Sequence, residues 1–121
     1  MITRGLALLA GAALLFASSS SSASSPGTPF APAKDSVVSI RTFGFRPLRL
    51  ELRAGARVQW LNLDDIEHTV TSGTPERRDA RFAGTLAAKD ASFTTTFSEP
   101  GTFSYFCDRH QFMRGEIHVT P

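Results

Sequence analysis

Few residues in this chain have side chains suited to binding a metal ion. The sequence contains one cysteine, three histidines and two methionines, and one of the methionines is Met1. Cys107, His110 and Met113 follow one another in the pattern Cys-x-x-His-x-x-Met. A thioether has no exchangeable proton, so these side chains cannot all be acid–base catalysts, but together they are ligands for a soft metal ion. The spacing therefore predicts a metal site on this segment.

One further histidine would complete a known kind of copper site. Two histidines and a cysteine in a trigonal set, with a weak axial methionine, form a type 1 (blue) copper site. His118 lies between Ile117 and Val119, and the alternation of this segment places it on the outward face. His68 instead follows an acidic, turn-rich stretch and opens the short strand-like run at 69–71, so a loop-mounted site could reach it. We therefore predict His68 as the additional ligand.

Two other kinds of chemistry are open to the same residues. Zinc could occupy a Cys-His-His set tetrahedrally, although the divalent affinity order favours copper and zinc would leave the methionine unused. Cys107 could instead be a catalytic nucleophile. The sequence offers no third residue to orient the histidine and no oxyanion-type glycine turn beside the cysteine. We therefore expect a metal-binding protein that is not an enzyme.

Alternating residues predict the strands that must position these ligands. Period-two alternation is present at 38–42, 48–52, 58–60 and 93–97, with turn residues between these segments. This spacing is typical of an antiparallel Greek-key β-sandwich or barrel, and we predict an all-β domain of about seven to eight strands. The one helix-tolerant segment, 82–89, is predicted to be a loop.

The Cys-x-x-His-x-x-Met segment is predicted to be a loop between the last two strands. In the strand that precedes it, Phe103, Tyr105 and Cys107 share the inward face, whereas Phe106 lies on the outward face. Alternation resumes after Met113. Two strands would thus enclose the ligands, and an enclosed set favours redox cycling over the exchange of metal.

The beginning of the chain is predicted to direct export. One arginine precedes an uncharged apolar run at 5–17, which suits the core of a secretory signal and is short for a transmembrane helix. A small-x-small pattern predicts cleavage after Ala23, and hence a periplasmic or secreted protein; the alternative is an uncleaved N-terminal anchor. We assign residues 1–23 to the signal peptide, 24–34 to a Ser/Pro-rich linker and 35–121 to the folded domain.

Length, cysteine content and charge exclude several other classes. The 121 residues leave room for one domain, and a single cysteine cannot form an internal disulfide, so a metal is the available cross-link. The formal net charge is only +2. Arg77, Arg78 and Arg81 come nearest to a basic cluster, but acidic residues interrupt them and predict a solvated loop. We therefore expect no nucleic-acid partner.

Two longer runs of residues surround the predicted ligands. The first is Phe43-x-Phe45-x-Pro47-x-x-Leu50-x-Leu52-x-x-Gly55-x-x-Val58-x-Trp60-x-Asn62-x-Asp64-x-x-x-His68-Thr69-Val70. The second is Gly101-Thr102-Phe103-x-Tyr105-x-Cys107-x-x-His110-x-Phe112-Met113-Arg114-Gly115. Together they resemble the cupredoxin family in its plastocyanin and amicyanin branch, over nearly all of residues 36–121. Two residues between successive ligands resemble the short ligand loop of amicyanin in particular.

The resemblance implies a blue copper domain with one type 1 copper ion. The ligands that it implies are His68, Cys107, His110 and Met113. It further implies that the backbone amide of Thr69 points at the Cys107 sulfur, and that the His110 ring edge reaches solvent through an apolar patch.

Three aromatic residues have implied or expected positions around this patch. Phe112 belongs to the loop beside His110, and Phe112 and Phe45 are each either part of the patch or ordinary core residues. Phe106 matches a position where the family often has an aromatic residue, which makes it a candidate surface route for electrons.

Three residues depart from the amicyanin-like pattern. Glu67 and Arg109 stand where such sequences tend to have proline, and Thr69 stands where they tend to have asparagine. A carboxylate and a guanidinium at the rim would alter the choice of partner and the redox potential. The predicted function is an exported, monomeric protein that shuttles single electrons by Cu(I)/Cu(II) cycling, without stable membrane insertion. Its predicted partners are transient redox proteins, namely a dehydrogenase, an oxidase or a cytochrome. A copper carrier or storage protein that uses the same site is the alternative.

Overall fold

The computed structural model describes residues 34–121 together with residues 11 and 13. Contacts divide the chain into two units, Met1–Phe30 and Ala31–Pro121. All strands described below lie in the second unit.

The predicted signal peptide (1–23) and linker (24–34) fall almost entirely outside the described residues. Both remain predictions, as does the start of the domain at residue 35. In the described part of the chain, no helix is long and apolar enough to cross a membrane.

The described residues form nine β-strands and no helix, which confirms the all-β prediction with more strands than the seven to eight expected. In chain order the strands are β1 (Ser36–Ile40), β2 (Phe45–Arg46), β3 (Arg49–Arg53), β4 (Ala56–Asn62), β5 (His68–Thr74), β6 (Arg77–Leu86), β7 (Ser92–Phe97), β8 (Gly101–Phe106) and β9 (Arg114–Thr120). One sheet has the order β2-β1-β4-β7 and the other has the order β3-β9-β8-β5-β6.

The pairing of strands is mixed rather than wholly antiparallel. β1 runs parallel to β4, and β3 runs parallel to β9, while the other pairs are antiparallel. Alternation reports which face of a strand is buried but not the direction of its neighbour, so the sequence pattern could not distinguish these pairs.

The inward faces of the two sheets form a core around Trp60. Its ring is buried, stacks on Phe82 and Phe93 at centroid distances of 5.8 and 5.7 Å, and meets Tyr105 edge-on at 5.3 Å. Leu48, which precedes β3, is 63% exposed although the alternation placed it inward. Other positions predicted to be inward are buried, namely Val38, Ile40, Leu52, Val58, Phe97, Phe103, Ile117 and Val119.

Strand β6 corrects three predictions. Residues 82–86 extend this strand instead of forming a loop. Arg77, Arg78 and Arg81 are exposed as predicted, but they lie in this strand rather than in a loop. The guanidinium groups of Arg78 and Arg81 lie over the rings of Phe106 and Phe103, at 5.5 and 5.2 Å from the ring centroids. Phe106 is fully buried, so the prediction that it lies on the surface is wrong. A cation–π contact with an arginine far along the chain is not visible in the local alternation of polar and apolar residues, so that alternation could not predict the burial of Phe106.

Candidate metal centre

The ends of two strands bring three candidate ligands together. His68 is the first residue of β5 and is fully buried, and Cys107 directly follows the last residue of β8. His110 lies on the loop between β8 and β9 and is half-buried. The Cys107 Sγ atom is 3.8 Å from His68 Nδ1 and 3.6 Å from His110 Nδ1. All three ligand atoms lie within 4.8 Å of one another.

Met113 lies on the same loop and is buried, with 2% of its surface exposed. Hydrogen bonds close the loop on itself: the Cys107 amide donates to the Met113 carbonyl at 3.0 Å, and the Met113 amide donates to the His110 carbonyl at 2.9 Å. A third bond, from the Asp108 amide to Thr69 Oγ1 at 2.7 Å, joins the loop to β5. The short spacing between the candidate ligands therefore produces a compact turn.

The sulfur of Cys107 accepts a backbone hydrogen bond. The donor is the Thr69 amide, at 3.3 Å from Sγ, in agreement with the expectation from the sequence. Cys107 is fully buried and is the free cysteine of the chain. An N–H group directed at a ligating sulfur both orients that ligand and tunes its donor strength.

Asp64 orients the His68 ring. His68 Nε2 lies 2.9 Å from Asp64 Oδ2, so Nδ1 is the nitrogen that faces Cys107. Desolvation by burial is the largest influence on the pKa of Asp64 and raises it, but hydrogen bonds from the Phe43 and Thr42 amides and from His68 together hold that pKa below its ordinary value. A carboxylate on the outer nitrogen of a metal-binding histidine fixes both its tautomer and its direction.

Sequence reasoning missed Asp64 and Phe43 as parts of this site. In the sequence both residues stand only in the family-like run, Asp64 also within an acidic turn, and no residue was expected to orient a histidine. The contact between Asp64 and His68 corrects that expectation. The Phe43 ring meets the His68 and His110 rings edge-on, at centroid distances of 5.5 and 5.0 Å. The only sequence feature that could have indicated this role of Asp64 is its position four residues before His68.

The rim of the site contains Glu67 and Arg109, the two residues that replace proline in the amicyanin-like pattern. Arg109 Nη1 lies 2.6 Å from Glu67 Oε1, and this hydrogen bond raises the pKa of Arg109. Beside it, Asp108 pairs with Arg78, which lowers the pKa of Asp108. The residues that precede the two histidines are thus joined to each other.

The remaining predicted residues lie at clearly different depths. Phe112 is 72% exposed beside His110, with ring centroids 6.3 Å apart, so it belongs to the surface. Phe45 is buried and packs on Tyr105 at 4.7 Å, so it belongs to the core. His118 is exposed, in agreement with its predicted outward direction.

The donor set fits a copper ion. A buried thiol sulfur and two imidazole nitrogens converge, the sulfur accepts an amide hydrogen bond, and a buried thioether lies on the same loop. Soft sulfur ligands with imidazole suit copper. A β-sandwich with such a cluster at the ends of its strands is typical of the cupredoxins that the sequence resembles.

Comparison with known proteins identifies the family to which the chain belongs. Residues 33–120 match the model of the copper binding proteins of the plastocyanin/azurin family. The chain belongs to this family, and its cofactor is copper. This confirms the resemblance stated from the sequence.

Curated relatives and solved structures agree with this assignment. The amicyanin of Paracoccus versutus is 33% identical over 88 residues, which cover 73% of this chain and 67% of the relative. The plastocyanin of Scenedesmus fuscus is 30% identical over 83 residues, which cover 62% of this chain and 85% of the relative. Membership of this family and similarity to amicyanins and plastocyanins confirm the expectation that the protein is not an enzyme.

Among solved structures, the purple cupredoxin of Nitrosopumilus maritimus superposes with a TM-score of 0.65 at 26% identity, and covers 71% of this chain and 100% of its own. The Cu(I) form of an amicyanin point mutant superposes with a TM-score of 0.62 at 29% identity, and covers 69% of this chain and 80% of its own. The predicted fold class is therefore confirmed.

Proposed function

We propose that this chain is an exported type 1 copper protein that carries single electrons between redox partners, with His68, Cys107, His110 and Met113 as its ligands. The observation that carries the proposal is the buried Cys107 sulfur between two imidazole nitrogens, at 3.8 and 3.6 Å. Membership of a copper-binding family supports it.

The chain's own residues would hold the ligands in one arrangement. Asp64 directs His68 Nδ1 toward the sulfur, and the Thr69 amide orients the sulfur itself. When bound, copper supplies one-electron redox chemistry between Cu(I) and Cu(II). Ligands fixed by strands rearrange little between two oxidation states, so an enclosed site suits electron transfer better than the carriage or storage of copper.

His110 and its surroundings form the proposed docking face. His110 is half-buried, and the rings of Phe43 and Phe112, which are 41% and 72% exposed, lie beside it. Redox encounters are small and transient, and bury less than about 1,200 Å² in total. A dehydrogenase, an oxidase or a cytochrome is the expected partner, and N-terminal sequencing of the exported protein should find Ser24 as its first residue.

The test of the metal site is its colour. Protein loaded with Cu(II) should become intensely blue or purple through thiolate-to-copper charge transfer, and Cys107→Ala should abolish the colour because it removes the thiolate. His68→Ala should bleach the protein, whereas His118→Ala, the matched control on an exposed histidine, should not. A colourless loaded protein would contradict the proposal.

The role of the site is tested separately. Voltammetry of the loaded protein should give a reversible one-electron wave, and Met113→Gln should keep the colour while shifting the potential. Release of copper to a chelator without any reversible wave would instead favour a copper carrier.

A further inference from the structure

We propose that Phe43, held in place by Asp64, is a positioning residue for both histidines of the copper site. The inference rests on the proposed function, since it concerns the ligands named there. Phe43 is separated from its histidine partners by 25 residues or more along the chain, and no metal-binding role follows from its side chain.

The ring of Phe43 lies against both imidazoles at once. Its plane is nearly perpendicular to those of His68 and His110, at 89° and 83°, with centroids 5.5 and 5.0 Å away. The two imidazoles are themselves 5.0 Å apart. Edge-to-face contacts between rings at such distances are favourable and directional. One aromatic ring therefore restricts the rotation of two candidate ligands.

His110 depends on this contact more than His68 does. His68 is fully buried and its Nε2 is bonded to Asp64, so its ring is held from two sides. His110 is half-buried on a loop, and the rings of Phe43 and Phe112 lie against it. Phe112 is the more exposed and more distant of the two, at 6.3 Å against 5.0 Å. Of the two phenylalanine rings beside His110, Phe43 is therefore the one that restrains it more closely.

The backbone that presents Phe43 is held by one carboxylate. Thr42 and Phe43 have φ values of 50° and 55°, a left-handed conformation that persists in such residues only where the surroundings impose it. Asp64 accepts hydrogen bonds from both of their amides, at 2.7 and 3.0 Å. The turn is closed by the reciprocal bonds between Arg41 and Gly44, at 3.0 and 3.1 Å.

Asp64 thus couples the turn to the site. The oxygen that accepts the Phe43 amide, Oδ2, also lies 2.9 Å from His68 Nε2. The same carboxylate therefore sets the direction of the His68 ring and the position of the ring that packs on it. A change at Asp64 should disturb both histidines together.

The experiment compares Phe43→Ala with Phe112→Ala in the full chain, by NMR relaxation of the histidine rings in the metal-free protein. Phe43→Ala should raise the mobility of the His110 ring toward that of the exposed His118, which is an internal reference, whereas Phe112→Ala should leave it nearly unchanged. An immobile His110 ring in folded Phe43→Ala would overturn the proposal. Should Phe43→Ala fail to fold, Phe43→Leu replaces it, because it keeps apolar bulk without an aromatic edge.

Copper binding provides the second readout. Mutation of groups that orient metal ligands lowers affinity about 10- to 100-fold, and we expect a loss of this size in Phe43→Ala, together with a changed absorption and EPR spectrum. Phe43→Tyr, which keeps the ring, should restore the wild-type spectrum. A wild-type spectrum and affinity in Phe43→Ala would contradict the inference. A colourless wild-type protein would instead contradict the proposed function, while the NMR comparison would still decide whether Phe43 positions His110.

Discussion

At the scale of the residue, Thr42 has an unfavourable backbone conformation beside the site. Its φ of 50° is left-handed, and a β-branched side chain is seldom found there because its Cβ crowds the backbone, at a cost of about 1–2 kcal/mol. The side chain is exposed, while the amide bonds to Asp64. The strain therefore comes from the β-branched side chain of Thr42, whereas the hydrogen bond to Asp64 uses only the backbone amide.

Replacing Thr42 with asparagine should therefore stabilise the protein. Thr42→Asn keeps the amide and tolerates the left-handed region, so the free energy of unfolding should rise by about 0.5–1 kcal/mol in urea titrations. Thr102→Asn is the matched control, because Thr102 is also exposed but lies in β8, where asparagine is disfavoured and should lower stability. A loss of stability in Thr42→Asn would show that the threonine side chain is needed.

At the scale of the element, Gly84 lets two strands of different sheets pack closely at one edge of the sandwich. A Cβ atom on Gly84 of β6 would lie 2.3 Å from the Phe93 ring of β7. The two strands belong to different sheets, and the Phe93 ring also stacks on Trp60. The absence of a side chain at Gly84 therefore lets the two sheets approach at this edge.

Adding a methyl group at Gly84 should force these strands apart. We expect Gly84→Ala to lower the free energy of unfolding by about 1–3 kcal/mol, the usual cost of overpacking a core. Gly44→Ala is the control, since its Cβ would meet only the Arg41 carbonyl at 3.6 Å. Equal stabilities of the two variants in denaturant titrations would refute the close approach.

The rim ion pair joins the two segments that hold the histidines. Glu67 precedes β5 and Arg109 lies on the β8–β9 loop, and the pair is partly exposed, with 34% and 55% of the side chains accessible. Exposed pairs contribute little and are screened by salt. The contribution of the Glu67–Arg109 pair to the free energy of unfolding should therefore depend on ionic strength.

A double-mutant cycle on Glu67→Ala and Arg109→Ala should detect this pair. We expect favourable coupling in the unfolding free energy at low salt, and a decrease in that coupling at about 1 M salt, where the Debye length is about 3 Å. The longer pair between Arg49 and Glu116, at 3.8 Å, is the control and should couple less. Coupling that is unaffected by salt would mean that packing, not charge, joins the segments.

At the scale of the whole molecule, copper should act as a cross-link. The domain is small and has a single cysteine, so no internal disulfide can stabilise it. The candidate ligands come from β5 and from the loop between β8 and β9, and a metal bound by all of them ties these parts together. A ligand that binds only the native state stabilises it by mass action.

Copper loading should therefore raise the thermal midpoint of the full chain. At a hundredfold excess over the dissociation constant the gain is about 2.7 kcal/mol, which is roughly 10–20 °C for a domain of this size. Cys107→Ala should show no such increase, because it lacks the principal sulfur ligand. Equal midpoints for the loaded and metal-free wild type in calorimetry would exclude a cross-linking role.

Much of the architecture and the candidate ligand set could be predicted from the sequence. Alternation identifies the buried face of a strand locally, and it placed Val58 and Trp60 inward. Three soft or imidazole ligands within seven residues need only one turn to meet, so Cys107, His110 and Met113 could be found without a fold. His68 could be chosen because it begins a strand.

Only the tertiary structure decided what surrounds these ligands. Asp64 bonds to amides 21 and 22 residues away, and Arg109 pairs with a glutamate 42 residues away. The burial of Phe106 and the strand β6 likewise depend on partners elsewhere in the chain. Local periodicity records which residues face inward, whereas such contacts arise only when the sheets pack and distant segments meet. The sequence therefore determined which residues are suited to bind copper, and the packing of the two sheets decided how they are held.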